Sequence, residues 1–426
     1  MEFEELFAPI KIGSVKIKNR ISMAAMSGVG DVGGHLANQW ICFFNARALG
    51  GFGLLTTGCL ITNAVSHEEM QGLAPGLYEG NKNIGYFSRL TESIHSMRTD
   101  TKVFAQLSPG LGRHSPTPGS KGASPIPVDS KITRANLTKS LKAFSQLVLH
   151  DGATLKAMNV PREMTVEEIH RDEVSFVKAA EMAILAGFDG VEIHASHESL
   201  LHQFLSPCSN KRSDEYGGPL PNRARYLLEL TSMLRVNFGD AVPIVVCLGG
   251  RDYQQEGITA EEAQRIYKWL EEAGADAIHL SCGSRLEDIC HFEAETDNIS
   301  LLTAQGKELM QTIHIPIITP SPLTPEKACR AVKDGETSMV SLGRQALVDP
   351  DWPRKVKEGS LSKIETCIRD NYCSAMTFHG SRLFVRCVKN PNLGFEEFMP
   401  EYWPKRSKPT IPEALKRWMR IKSRTN

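Results

Sequence analysis

No stretch of this chain approaches the roughly 18 consecutive apolar residues that a membrane helix needs, which excludes an ordinary span. The N-terminus, MEFEELFAPIKIG, lacks a basic segment followed by an apolar core, so a secretory leader is not expected. Excess charge is missing as well: 49 Lys and Arg stand against 49 Asp and Glu. A balanced chain offers no global field for nucleic acid or an anionic membrane. No repeat of solenoid period runs through it. The ten cysteines lie mostly inside apolar segments, which argues for reduced thiols in a cytoplasmic protein rather than a disulfide framework. What the 426 residues do have is a composition 41% hydrophobic and 23% charged, enough for a sizeable core in one large domain or two to three smaller ones.

That apolar content is concentrated in eight short runs: RISMAAM (20–26), FGLLTTGCLI (52–61), KVFAQLS (102–108), GVEIHAS (190–196), PIVVCLG (243–249), AIHLSCG (277–283), PIITPS (316–321) and SMVSLGR (338–344). Each is too short for a typical helix and lacks strict alternation, as expected of strands buried on both faces. Helical spacing fills most of the gaps. In 165–187 Thr165 caps the start, Glu168 stands three residues on and Gly187 marks the stop; 259–274 repeats the design. Strands alternating with helices predict an α/β fold, a (β/α)8 TIM barrel. Ser27, Gln106, His194, Ser281 and Arg344 fall at the C-terminal ends of the runs, the rim where such barrels place their sites.

His194 and His197 form an H-x-x-H pair on a predicted strand-to-helix turn. Substrate donors, packed structural residues and, with His202, zinc ligands are all open readings, although the glutamate-bearing helix of zinc peptidases is missing. GVGDVG, Gly28 to Gly33, matches a dinucleotide fingerprint, but the second strand ends without the acid a ribose needs. Its glycines are read instead as letting the first loop pass close to a ligand. The connection 109–164 holds a Gly/Pro/Ser-rich part and then a helical insert, a pattern typical of a lid. The barrel pattern stops near residue 362, giving a barrel over 1–362 and a C-terminal extension over 363–426. The extension contains cysteines and a basic tail, which is read as a solvated or docking segment with a short amphipathic helix.

LFAPIKIGSVKIKNRISMAAM, FAQLSPGLGR, PREMTVEEI, AGFDGVEIHASH, QFLSPCSNKRSDEYGGPLPNRARYLLE and VSLGRQALVDPDWPRKV, in this order, resemble the old yellow enzyme family. With CIRDNYC and VRCVKNP the likeness is to the branch of 2,4-dienoyl-CoA reductase and bile-acid reductases, without their C-terminal FAD- and nucleotide-binding domains. The resemblance implies an FMN-bearing barrel that takes hydride from NAD(P)H and reduces, or forms, a C=C bond conjugated to a carbonyl. Its substrate would be a small enone, a steroid or an enoyl thioester. It implies cofactor contacts at Ala25, Met26, Ser27, Cys59, Gln106, Cys247, Ser321, Gly343 and Arg344, with His194 and His197 on the substrate oxygen.

Departures from the family pattern matter. Ser199 stands where the family's proton-donating tyrosine would be, with Glu198 beside it as a substitute. Cys247 replaces an arginine that the resemblance places beside the flavin, a loss expected to lower the flavin potential or weaken binding unless Arg251 swings in, and Ser321-Pro322 replaces a Gly-Gly phosphate turn. Cys367, Cys373 and Cys387 retain part of a [4Fe–4S] segment, but Asp370 and Ser374 occupy two of its positions, which argues against an intact cluster. The expectation is an FMN-dependent, ene-reductase-like oxidoreductase, with self-association left open. The alternative is a diverged barrel acting as a binding or partner subunit.

Overall fold

The computed structural model describes residues 2–27, 38–71, 74–127, 160–252, 256–281, 296–320, 324–370, 372–373, 385–403 and 411–425. The glycine motif 28–33, the predicted helical insert and the Ser321-Pro322 turn lie outside them. Eight parallel strands close into a ring: β1 (Ile21–Met23), β2 (Leu54–Thr56), β3 (Lys102–Ser108), β4 (Gly190–Ala195), β5 (Ile244–Gly249), β6 (Ala277–Ser281), β7 (Ile317–Pro320) and β8 (Met339–Leu342). β8 pairs with β1 and β2 with β3, so the (β/α)8 barrel read from the sequence is the fold observed. Helices follow the strands outside: α1 (Asn38–Leu49), α2 (Ile84–Ser96), α3 (Val166–Leu185), α4 (Leu220–Phe238), α5 (Ala260–Glu272), α6 (Thr296–Leu309) and α7 (Pro325–Lys333). Thr165 with Glu168 and Thr259 with Glu262 form the two expected capping boxes on α3 and α5.

Successive residues of a strand point to opposite faces, so every second one enters the barrel. Leu54, Phe104, Val245, Ala277, Ile318 and Met339 make an apolar plug there, closed from below by Ile12, Val15 and Ile17 of an N-terminal hairpin. Gly13 takes the hairpin turn at φ 51°, and a Cβ on it would lie 2.8 Å from the Asp276 carboxylate. Two residues further along the strands the interior turns polar, with Thr56, Gln106, Glu192, Cys247, His279 and Ser341 above the plug.

The extension folds back onto the barrel. Glu396 reaches into α1, where its carboxylate lies 2.8 Å from Arg47 and also takes a hydrogen bond from Gln39. The Arg47 guanidinium donates to the carbonyls of Phe43 and Ala346 and covers the Phe43 ring at 3.6 Å. The tail helix α8 (Glu413–Thr425) is docked rather than solvated: Trp418 donates to the Asn237 carbonyl and Arg417 to that of Ala241. The Trp418 and Phe238 rings pack with centroids 5.3 Å apart.

Arg47 is wholly buried, so removing its partner leaves an uncompensated charge. Glu396→Ala is expected to lower stability by about 3–5 kcal/mol. A loss below about 1 kcal/mol in denaturant unfolding, the scale of an exposed pair, would refute the anchoring role.

Candidate active site

β4 ends at the barrel rim in the sequence His194-Ala195-Ser196-His197-Glu198-Ser199, after which a short helix, Leu200–Leu205, begins. His197 and Glu198 both adopt left-handed backbone, at φ 55° and 57°. Residues with a Cβ rarely stand there, and each costs about 1–2 kcal/mol. The turn is held by the Ser199 amide on the Ser196 carbonyl at 3.0 Å and by the Ser199 hydroxyl on the His194 carbonyl at 3.2 Å. Ser199, at the position of the family's tyrosine, is 1% exposed and forms a buried tie across its own turn.

Glu198 is also engaged. Its carboxylate lies 2.8 Å from Arg113 Nη2 and 3.0 Å from His114 Nε2, both on the loop after β3. Burial pushes this carboxyl up, but the His114 hydrogen bond and the charges of Arg113 and His114 hold it well below the usual glutamate range. It is an ionised clamp and not an acid. The Glu198 amide donates to His202 Nδ1 at 2.8 Å, so His202 carries its proton on Nε2, 2.9 Å from Asp252 of the loop after β5. Both nitrogens of His202 are thus engaged away from the H-x-x-H pair, and among the described residues these three histidines do not gather as metal donors.

His194 and His197 face each other with ring centroids 5.8 Å apart and planes inclined by 34°. His197 Nε2 meets the Ser281 hydroxyl at 2.8 Å, while the buried Nδ1 of His194 has no hydrogen-bond partner among the described residues. Burial first, then the neighbouring imidazoles of His197 and His202, push the His194 imidazole down to about 3. It is neutral at ordinary pH.

Beneath the pair, Gln106 donates from Nε2 to Glu192 Oε1 at 2.7 Å, and Glu192 Oε2 meets His279 Nδ1 at 3.0 Å. Cys247 lies in register with His194 and His279, its Sγ 3.4 Å from the Ser196 hydroxyl, and burial pushes its thiol far up. Ala25 and Met26 are half-buried and Ser27 is exposed after β1, close to Gly58, the neighbour of Cys59. The two loop ends can meet because Gly58 has no side chain: a Cβ there would lie 2.6 Å from the Met26 carbonyl. Gly343 and Arg344 are half-buried after β8, and a Cβ on Gly343 would meet no atom within 4 Å. Arg251 is exposed, and Ser321 lies outside the described residues.

The cysteines of the extension sit elsewhere. Cys367, Cys373 and Cys387 are half-buried and outside any disulfide among the described residues, and Ser374 lies outside the described residues. The sequence reading missed the Arg113–Glu198–His114 clamp, the His202–Asp252 pair and the Glu192–His279 pair. Only Glu192 left a signal, two positions before His194 and so on the same strand face.

A closed barrel with a polar interior layer and paired imidazoles at its C-terminal rim defines a ligand-binding (β/α)8 protein of the enzyme type. The family model described as NADH:flavin oxidoreductase / NADH oxidase matches residues 5–362, and the chain belongs to that family. It is 31% identical over 402 residues to an NADH oxidase of Thermoanaerobacter brockii, covering 92% of this chain and 57% of that one. With a cinnamate reductase of Clostridium sporogenes it shares 31% identity over 417 residues, 93% of this chain and 59% of the relative. A solved 2-naphthoyl-CoA reductase in complex with 2-naphthoyl-CoA superposes with a TM-score of 0.78 at 27% identity, over 93% of this chain and 58% of that one. The chain therefore spans little more than half the length of these relatives.

Two outcomes test this geometry. Only glycine takes φ 57° without strain, so Glu198→Gly is expected to be more stable than Glu198→Ala by about 1 kcal/mol, although both lose the clamp. Equal unfolding midpoints would count against strain at this turn. The second concerns pH. An unfolded histidine protonates near about 6.5, whereas folded His194 stays neutral down to about 3. A depressed folded-state pKa means that His194 leaves stability untouched above about 6.5 and erodes it as the pH falls toward 3. His194→Asn should flatten that decline by up to about 1.4 kcal/mol per pH unit, and parallel curves for the two proteins would refute the assignment.

Proposed function

We infer that this chain binds FMN in the barrel mouth and reduces a C=C bond conjugated to a carbonyl, with NAD(P)H as the electron source. The observation that carries the reading is a set of inward polar atoms that the protein leaves unsatisfied around an otherwise ordered rim. Among the described residues His194 Nδ1 and Ser341 Oγ are buried without partners, and Gln106, having given its N–H to Glu192, keeps its carbonyl oxygen for a ligand donor. These residues fit a planar heterocycle with donor and acceptor edges. Gln106 and Ser27 would hold the ring, Ala25, Met26, Cys59 and Cys247 would border it, and Gly343, Arg344 and Ser321 would take the phosphate end. When bound, FMN supplies the hydride chemistry, accepting from reduced nicotinamide and giving to the carbon β to the carbonyl.

The remaining work falls to the chain. His194 and His197 donate N–H groups to the substrate carbonyl oxygen and stabilise the negative charge that develops there. Because His194 is neutral and fixed, it acts as an oriented donor and not as an acid. The Ser199 hydroxyl is committed to the His194 carbonyl and Glu198 is an ion-paired carboxylate, so neither supplies the α-carbon proton. Water is the source that remains. The cinnamate and naphthoyl-CoA relatives favour a conjugated carboxylate or thioester over a steroid. We also read residues 1–362 as the cofactor barrel and 363–426 as an extension that retains cysteines without an iron–sulfur cluster. None of the eight described cysteines is in a disulfide with another, which suits a reducing, cytoplasmic setting.

Purified protein loaded with FMN is expected to show oxidised-flavin absorption that NADH or NADPH bleaches and air restores. Protein that takes up no FMN would favour the binding-subunit reading. Replacing His194 and His197 together by alanine should keep FMN bound and abolish the spectral perturbation caused by an unsaturated carbonyl ligand. An unchanged perturbation would remove the pair from the substrate site.

A further inference from the structure

We propose that Glu192, Cys247 and His279 form a binding site for a divalent transition-metal ion such as zinc, built into the floor of the barrel pocket. One donor atom from each lies within 4.8 Å of the other two. This is the only such grouping of three among the described residues. The three come from adjacent strands β4, β5 and β6, whose parallel ladder sets Cys247 directly opposite His279. Strand-borne donors are fixed in place before any ion arrives, and such sites need that precision. All three side chains are buried, at 1%, 5% and 6% exposure, so this is no solvated acidic patch.

The donor types narrow the ion. Thiolate and imidazole with one carboxylate suit zinc, cobalt or iron, and they disfavour calcium and magnesium, which demand oxygen. Three protein ligands leave a fourth position for water or substrate, the pattern of open rather than structural sites. An outer shell is present. Gln106 holds Oε1 of Glu192, leaving Oε2 turned to His279, and the Ser196 hydroxyl stands 3.4 Å from Sγ, placed to donate to a thiolate.

Loading the site balances simply. The Cys247 S–H bond breaks, its proton leaves to solvent and a sulfur–metal bond forms. The imidazole proton between His279 Nδ1 and Glu192 Oε2 relocates to Nε2, freeing both atoms for the ion. A dication enters and one proton leaves, so the pocket floor gains one positive charge. Burial that keeps the isolated thiol protonated is consistent with this, since the ion is then what makes thiolate available. The site does not depend on flavin, although it shares Cys247 and Gln106 with the proposed cofactor pocket.

Cobalt(II) chloride is the probe, added to the chelator-treated full chain without FMN and again after FMN loading. A saturable thiolate-to-cobalt charge-transfer band at one ion per chain, bleached by added zinc, is expected in the flavin-free sample. Cys247→Ser should abolish the band and Cys387→Ser should retain it. Glu192→Gln keeps the thiol and should weaken cobalt binding by at least about tenfold, which covers the case of a Cys247 variant that does not fold. No saturable band in the wild-type chain would overturn the proposal. So would a band that survives Cys247→Ser and disappears in Cys387→Ser, which would place the ion on the extension. Failure of FMN to bind leaves every one of these readings intact.

Discussion

Two consecutive side-chain-bearing residues in left-handed backbone are a costly way to end a strand, and the rim of this barrel is organised around keeping them there. The strain at His197 and Glu198 is offset by groups from two loops and the helix that follows the turn. Arg113 and His114 arrive from the β3 loop, His202 from the helix after the turn and Asp252 from the β5 loop. Each link fixes the next. The Glu198 amide sets the tautomer of His202, that tautomer points a proton at Asp252, and Asp252 in turn takes hydrogen bonds from Ser206 and the Ile258 amide. The position of His197 relative to His194 is therefore a property of the whole network and not of a flexible loop.

The barrel interior below the rim follows a second constraint. A carboxylate 1% exposed is tolerated only when its oxygens are satisfied, and Glu192 has Gln106 on one and His279 on the other. The apolar plug and the N-terminal hairpin lie beneath, so this layer rests on apolar packing. Electrostatic effects are strong in such surroundings, which explains why His194, with two more imidazoles close by, is driven so far toward its neutral form.

Much of this was legible in the chain. The strands could be read because parallel barrel strands are buried on both faces and appear as unbroken apolar runs, and α3 and α5 because Thr165 and Thr259 announce their own starts. H-x-x-H at the end of the fourth run located the rim. The clamp could not be read: Arg113 and Glu198 are 85 residues apart, and charge pairing at that separation has no local signature. Ser199 illustrates a different limit. Its place in the sequence suggested a proton donor, but one backbone carbonyl decides where the hydroxyl points. Similarly, the amphipathic pattern of α8 was visible, whereas its docking on Asn237 and Ala241 depends on a surface formed only after the barrel closes.

The chemistry open to this rim follows from where charge is and is not. His194 is neutral, the Cys247 thiol is protonated, and Glu198 is already matched by Arg113 and His114. An oxygen that becomes negative between His194 and His197 would thus be met by N–H dipoles held at fixed angles, with little mobile charge nearby. Fixed dipoles need no reorganisation as the charge develops, and in a buried site that advantage exceeds what the same groups would provide in water. The strain accepted at His197 and Glu198 is coherent on this view: orientation, rather than charge, is what the turn supplies.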